Sequence, residues 1–191
     1  MSDILAFAGS TREGSYNRKL IRIAARGAAE AGADVNLVEL IDYPMPIMNQ
    51  DLEDRKGMPE KAGEFKKLML QSRGLLISAP EYNSSLTPLL KNVLDWSSRS
   101  ESPEEKILSA YRNKIAVIMS ASPGRLGGMR GLVVLRMMLW NLGVTVLPAT
   151  RSVSGANEAF AEDGSLKSGR QQKAVMRLGK ILAEAVTKTE S

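Results

Sequence analysis

The segment from Gly9 to Asn17 carries the residue types that hold a phosphate group. Hydroxyls, an amide and a guanidinium stand between two glycines, in the order Gly9-Ser10-Thr11-Arg12-Glu13-Gly14-Ser15-Tyr16-Asn17. An apolar run precedes the segment and a helix-like run follows it, so it is predicted to join a first strand to a first helix. The N–H groups and the dipole at a helix start favour an anion. The segment is therefore either a cradle for a phosphate monoester or a turn capped by Ser15.

The absence of cysteine and histidine excludes several types of catalytic and metal site. The 191 residues include no cysteine and no histidine. Disulfides, thiolate nucleophiles, zinc–cysteine sites, imidazole ligands and Ser–His–Asp triads are therefore excluded. We expect the chemistry to be carried by a cofactor or by unusual residues, with no metal site. If a cofactor carries it, no side-chain acid or base is expected to be indispensable.

The charge pattern bears on the class of partner. The formal net charge is +5, and the lysines and arginines are scattered along the chain. This pattern favours attraction of small anions over a nucleic-acid track. The first residues lack a basic signal-peptide region, and no apolar run is long enough to span a bilayer. We expect a cytoplasmic protein that binds neither nucleic acid nor membranes.

Strand-like and helix-like runs alternate five times. The predicted strands are Ile4–Gly9, Asp34–Leu40, Gly74–Ala79, Lys114–Ala121 and Val144–Leu147. The predicted helices are Asn17–Ala31, Pro59–Ser72, Leu86–Ser98, Met129–Leu142 and Ser168–Lys188. The predicted irregular segments are Ile41–Met58, Glu101–Asn113 with a helical turn at Glu104–Ala110, and Ser152–Gly164 with a short helix at Glu158–Ala161.

This alternation predicts an α/β fold of the flavodoxin-like type, a three-layer sandwich around a five-stranded parallel sheet in the order 2-1-3-4-5. No repeat or linker is visible, so residues 1–191 are predicted to form a single domain. The switch point of such a sheet lies between strands 1 and 3, and ligands bind at the carboxyl ends of the strands. The loops after strands 1, 3 and 4 are therefore the candidate site.

The loop after strand 3 has the sequence Pro80-Glu81-Tyr82-Asn83-Ser84-Ser85. A proline, an aromatic ring and an amide at the switch point would form a wall that suits a planar heteroaromatic ring. The alternative is a plain turn in which a serine or Thr87 caps the next helix. That alternative explains the serines but not Glu81, Tyr82 and Asn83.

Three motifs, taken together, resemble the NADPH-dependent FMN reductase family, which also includes quinone, chromate and azo-dye reductases. In chain order they are Gly9-Ser10-Thr11-Arg12-x-x-Ser15-x-Asn17, Pro80-Glu81-Tyr82-Asn83-x-Ser85 and Leu90-Lys91-Asn92-x-x-Asp95-Trp96. Their order and separation make the resemblance more specific than any single motif.

The resemblance implies an FMN site built from three loops. The FMN phosphate maps onto Ser10, Arg12, Ser15 and Asn17, with backbone contributions from Thr11 and Tyr16. The isoalloxazine ring maps onto Pro80, Glu81, Tyr82 and Asn83. The segment from Ser120 to Gly128 is similar to the family's glycine-rich loop beside the flavin, with Ser122, Gly124 and Gly128 as its site residues, although alone it would pass for a flexible turn. Arg125 departs from the small or aromatic residue expected there.

The resemblance also implies the reaction. An enzyme of this family transfers a hydride from NADPH or NADH through bound FMN to a quinone, a flavin or a similar small acceptor, in a ping-pong scheme. One alternative is a flavodoxin-type electron carrier with no pyridine-nucleotide reaction of its own, but such carriers are usually acidic and lack an arginine like Arg12. The second alternative is a scaffold domain with a vestigial site, and the three intact loops argue against it.

The predicted third helix carries the polar and aromatic residues Lys91, Asn92, Asp95 and Trp96. They form either a solvated face with a Lys91–Asp95 ion pair and a core Trp96, or part of a subunit interface. The interface is favoured, because the resemblance implies a homodimer or homotetramer.

Overall fold

The computed structural model describes residues 3–188. The strands are β1 (Ile4–Ala8), β2 (Val35–Val38), β3 (Gly74–Ser78), β4 (Glu81–Tyr82), β5 (Ser85–Leu86), β6 (Ile115–Ala121) and β7 (Thr145–Val153). The helices are α1 (Tyr16–Glu30), α2 (Gln50–Lys56), α3 (Glu60–Leu70), α4 (Pro88–Ser97), α5 (Met129–Asn141), α6 (Ala156–Ala159) and α7 (Gly169–Lys188), with a 3-10 turn at Leu40–Asp42. Within this range no helix is both long and apolar enough to cross a membrane.

The five longer strands form one sheet in the order β2-β1-β3-β6-β7, and every neighbouring pair is parallel. The prediction of a five-stranded parallel sheet is thus confirmed. The predicted numbering 2-1-3-4-5 is wrong, because β4 and β5 form a separate antiparallel hairpin in the segment predicted as a loop. The predicted strands 4 and 5 are β6 and β7, so β1 and β3 remain neighbours at the switch point.

The sheet is buried on both faces because its central strands are continuously apolar. All residues of β1 and β3 are buried, as expected for parallel strands covered by helices on two sides. One core lies between the sheet and the pair α1 and α7, and the other lies beneath α3, α4 and α5. This three-layer arrangement leaves the carboxyl ends of the strands open along one edge.

Helices α1 and α7 approach each other closely through two glycines. A Cβ atom on Gly179 would lie 1.9 Å from the carbonyl oxygen of Ala24, and one on Gly27 would lie 2.1 Å from that of Met176. Any side chain at either position would therefore push the helices apart. The contact fixes α1, whose first turn faces the carboxyl edge of the sheet.

Helix α2 lies inside the segment Ile41–Met58 that was predicted to be irregular, so that prediction is wrong. The helix has no buried residue, and the hydrophobic periodicity that signals a helix is therefore absent. The helix is capped at both ends: the Asn49 side chain accepts a hydrogen bond from the Leu52 N–H, and Gly57 ends the helix with φ of 72°. Glu53 in its middle is paired with Arg99 at 2.8 Å.

Three further boundaries differ from prediction. Strand β7 continues to Val153, beyond the predicted end at Leu147, because an edge strand can accommodate Pro148. The short helix α6 begins at Ala156 rather than Glu158. The predicted helical turn at Glu104–Ala110 consists of turns without a helix.

A buried lysine explains why the segment after α4 is ordered without regular structure. Lys66 on α3 is only 1% exposed. Its ammonium group donates to the Arg99 carbonyl at 2.8 Å and lies 2.6 Å from the Glu105 carboxylate. The contacts with the Lys66 ammonium group thus order this segment, although it forms no helix.

Candidate functional site

A cleft of about 260 Å³ opens at the carboxyl ends of β1, β3 and β6. It is lined by Ser10, Arg12, Ser15, Tyr16, Asn17, Pro80, Glu81, Tyr82, Ala121, Ser122 and Pro123. The structure therefore brings together residues of all three predicted loops. Four predicted site residues do not line the cleft: Thr11, Asn83, Gly124 and Gly128. Ala121 and Pro123 do line it and were missed, although both flank the predicted Ser122 at the end of β6.

The start of α1 forms one end of the cleft. Ser15 is both a helix cap and a cleft residue: its hydroxyl accepts a hydrogen bond from the Arg18 N–H at 3.4 Å. The backbone N–H groups of Tyr16 and Asn17 have no partner among the described residues. The cap therefore coexists with two N–H groups that are available to an anion.

Arg12 adds a positive charge beside these N–H groups. Its guanidinium donates to the Gly14 carbonyl at 3.0 Å and lies 5.3 Å from the centre of the Tyr16 ring. The next basic residue, Arg18, is paired with Glu39 at 2.7 Å. Within the described range Arg12 has no carboxylate partner, so its charge is available to a bound anion.

The Tyr16 ring is held by a residue from the segment after β7. It stacks on Phe160, just after α6, with 5.9 Å between the ring centres and 13° between the planes. Arg12 thus rests on an aromatic pair that joins the first loop to the segment after β7. Neither Phe160 nor this stacking contact was predicted, because a single aromatic residue in a loop gives no sequence signal.

The side chain of Asn17 is engaged within the protein. It is 3% exposed, its Nδ2 donates to the Ala121 carbonyl at 2.9 Å, and its Oδ1 accepts from the Ala121 N–H at 3.0 Å and the Ser78 hydroxyl at 2.9 Å. These bonds tie the first turn of α1 to the ends of β3 and β6. The predicted contact between the Asn17 side chain and a phosphate stays a prediction, and what the structure shows is a positioning role.

The hairpin of β4 and β5 forms the side wall of the cleft. Its turn residues Asn83 and Ser84 have positive φ angles of 50° and 66°, as in the two-residue turns of tight hairpins. Asn83 is not part of the cleft lining, and Tyr82 is 59% exposed. An exposed tyrosine next to Pro80 provides apolar surface for a planar ring.

Glu81 has a partner outside the cleft. Its carboxylate accepts a hydrogen bond from the Gly131 N–H in the first turn of α5 at 2.9 Å, and it lies 3.3 Å from the Arg130 guanidinium. The interaction caps α5 and fastens the hairpin to it. Glu81 therefore lines the cleft without offering it a free carboxylate.

Packing accounts for the glycines of the third loop. Gly128 has φ of 87°, and a Cβ atom there would lie 2.0 Å from the Ser120 hydroxyl oxygen. Gly124 donates its N–H to the Ser122 hydroxyl at 3.2 Å. The loop is therefore a fixed turn and not a flexible one, and Ser122 and Pro123 are held against the cleft.

The motif on α4 does not line the cleft. Trp96 is fully buried and donates to the Pro46 carbonyl at 2.8 Å, and Asn92 donates to the same carbonyl at 2.9 Å. Lys91 and Asp95 form an exposed ion pair. Trp96 and Asn92 thus hold a loop of their own chain. The subunit interface at α4, which the family resemblance favours, stays a prediction.

The cleft residues fit FMN. A helix start with unpartnered N–H groups, an unpaired arginine and the hydroxyls of Ser10 and Ser15 suit a phosphate monoester. Pro80, Tyr82 and the small residues at the end of β6 suit a planar ring. These residues would anchor the phosphate and orient the ring.

Comparison with known proteins identifies the family. A sequence model described as NADPH-dependent FMN reductase matches residues 2–158. An NAD(P)H-dependent FMN reductase of Pseudomonas aeruginosa is 32% identical over 181 residues, with 93% of this chain and 92% of that protein covered. A quinone reductase of Pseudomonas putida is 32% identical over 170 residues, covering 87% of each chain.

The fold has a clear counterpart among solved structures. The flavoenzyme NAD(P)H:(acceptor) oxidoreductase FerB of Paracoccus denitrificans superposes with a TM-score of 0.81 over 98% of each chain, at 24% identity. That likeness supports the fold, and the family match and the relatives above support the activity. The chain belongs to the NADPH-dependent FMN reductase family and is a flavin-dependent NAD(P)H oxidoreductase with a flavodoxin-like fold.

Proposed function

We propose that the protein binds FMN in the cleft and transfers electrons from NADPH or NADH to a quinone, a flavin or a similar small acceptor. The single observation that carries this proposal is the start of α1, where unpartnered N–H groups of Tyr16 and Asn17 stand beside the unpaired Arg12. When bound, FMN would accept a hydride from the nucleotide and then pass the two electrons, with a proton, to the acceptor.

The residues of the three loops divide the work of holding the cofactor. Ser10, Arg12, Ser15 and the first N–H groups of α1 bind the phosphate. Pro80 and Tyr82 pack against the ring, and Ser122 and Pro123 close the opposite side. Asn17 and Glu81 position these groups and do not bind FMN with their side chains. Asn17 bonds the start of α1 to the end of β6, and Glu81 bonds the hairpin to α5.

We also propose a ping-pong order for the two substrates. The nucleotide and the acceptor must both reach the exposed wall that carries Tyr82, so they enter in turn and not together. Parallel lines in double-reciprocal plots of rate against NADPH at several quinone concentrations support this order, whereas intersecting lines contradict it.

The phosphate assignment is tested by removing its cation. Arg12→Ala should weaken FMN binding by about 10–100-fold, the effect of one lost charge-assisted hydrogen bond. Fluorescence quenching of free FMN on titration measures the affinity. The matched control is Arg177→Ala, which removes the same charge from an exposed position on α7. Equal FMN affinity in Arg12→Ala and the parent protein would refute the assignment.

We also propose that the protein forms an oligomer, and that the subunit interface lies on α5 and not on α4. Residues 1–191 act as one domain, and two such domains pair through the outer face of α5. This face carries the exposed residues Met129, Val133, Met137 and Trp140, each more than half exposed. They recur at spacings of 4, 4 and 3 along one stripe, and a helix facing only water is not expected to be apolar on its outer side.

A further inference from the structure

Arg125 is a cation in the third cleft loop, two residues after the lining residue Pro123, and the FMN site leaves it without a role. It lies in the loop whose residues Ser122 and Pro123 line the cleft. Its side chain is exposed, and within residues 3–188 it makes no hydrogen bond, ion pair or ring contact.

The backbone around Arg125 is fixed. The Gly127 N–H donates to the Gly124 carbonyl at 3.1 Å, which closes a turn with Arg125 at its second position. A Cβ atom on Gly127 would lie 2.7 Å from the backbone of Val153, so the turn sits directly on β7. The guanidinium therefore projects from a rigid support and loses little backbone entropy when it binds a ligand.

The other cations around the cleft are already engaged. Arg12 belongs to the phosphate end and rests on Tyr16. Arg18 is paired with Glu39, and Arg130 lies against Glu81. Lys19 has no carboxylate partner among the described residues, but it lies over the Phe160 ring at 5.9 Å, beside Tyr16. Arg125 is thus the carboxylate-free cation of the third loop.

The reaction requires such a second anion. NADPH carries a pyrophosphate and a 2′-phosphate, and the phosphate end of the cleft is taken by FMN in the proposed function. We propose that Arg125 binds a phosphate group of the nicotinamide dinucleotide. The inference rests on the proposed function, because it presupposes that the nucleotide reacts at the same cleft. A guanidinium suits this task because it offers two parallel hydrogen bonds to a phosphate.

The test measures nucleotide binding apart from turnover. The FMN-loaded protein is titrated calorimetrically with NADP⁺ and with NAD⁺, for the parent, Arg125→Ala, Arg125→Lys and the control Arg177→Ala. Arg125→Ala should weaken NADP⁺ binding by about 10–100-fold, and Arg125→Lys by less, because it keeps the charge but not the paired geometry. Arg177→Ala should bind NADP⁺ as tightly as the parent does. The affinity for FMN should be the same in all four proteins.

The comparison between nucleotides identifies the phosphate that is bound. A loss confined to NADP⁺ assigns Arg125 to the 2′-phosphate, and an equal loss for NAD⁺ assigns it to the pyrophosphate. Added salt should weaken NADP⁺ binding more steeply in the parent than in Arg125→Ala.

Two results overturn the inference. Unchanged affinity for both nucleotides in Arg125→Ala does so, as does a loss of FMN affinity in that variant. A parent protein that binds FMN but never oxidises NADPH or NADH would instead refute the proposed function, so the two failures are distinguishable.

Discussion

At the scale of single residues, type and spacing locate the cleft, but they do not assign the roles within it. Ser10, Arg12 and Ser15 lie where the first motif predicts them, at the start of α1. Asn17 and Glu81 also line the cleft, yet their side chains bond to strand ends and to a helix start. Sequence alone could not assign these roles, because the partners Ala121 and Gly131 are distant in the chain.

Arg12 and Asn17 should therefore respond differently to mutation. Asn17→Ala leaves the buried Ser78 hydroxyl and the backbone of Ala121 without partners, at a cost of about 3 kcal/mol in the free energy of unfolding. The melting temperature should fall by roughly 6–12 °C. Arg12→Ala should leave the melting temperature of the FMN-free protein unchanged. Calorimetric melting of both variants without FMN checks this, and equal stability of the two would contradict the positioning role of Asn17.

At the scale of elements, prediction succeeds where hydrophobic periodicity exists. Strands β1, β3 and β6 are continuous apolar runs, and α1 and α7 carry apolar stripes, so all five were identified. Helix α2 and the hairpin of β4 and β5 were missed. Helix α2 has no buried residue, and the hairpin strands have only two residues each, so neither carries a hydrophobic periodicity that a sequence pattern can reveal.

The segment after α4 gives a prediction at this scale. Although burial acts to raise it, the pKa of the Glu105 carboxyl falls from 4.5 to about 2, because the carboxylate accepts hydrogen bonds from the Glu101 N–H, Lys66 and Ser109. The folded state therefore favours the ionised form. The resulting stability is fully present above pH 4.5 and is lost as the pH falls toward 2.

Glu105→Gln should remove this pH-dependent contribution. The parent protein should be about 2–3 kcal/mol more stable than the variant at neutral pH, and the difference should shrink as the pH falls from 4.5 toward 2. Urea unfolding at a series of pH values measures the difference. Glu162→Gln, at an exposed position, serves as the control. A difference between Glu105→Gln and the parent that does not change with pH would contradict the ionic role of Glu105.

At the scale of the whole molecule, the two helical layers differ in their outer surfaces. The α1 and α7 layer is basic and polar outside, whereas α5 on the other side presents the apolar stripe of Met129, Val133, Met137 and Trp140. Helical periodicity in the sequence does not reveal this stripe, because an apolar helix face is first assigned to the core.

Charging the stripe should separate the subunits. The double variant Val133→Glu with Met137→Glu should sediment as a monomer at micromolar concentration, while the parent sediments as a dimer or a larger oligomer. Ile107→Glu places the same charge on an exposed apolar residue of another segment and should leave the oligomer intact. A parent protein that sediments only as a monomer at that concentration would contradict the interface.

In the proposed reaction, this chain passes electrons from a nicotinamide dinucleotide through FMN held at the start of α1. The most direct measurement mixes the FMN-loaded protein with NADPH without oxygen, follows the visible absorbance of the flavin, and then adds benzoquinone. We expect the absorbance to bleach on addition of NADPH and to return on addition of the quinone. Bound flavin whose absorbance neither NADPH nor NADH changes would contradict it and would favour an electron carrier.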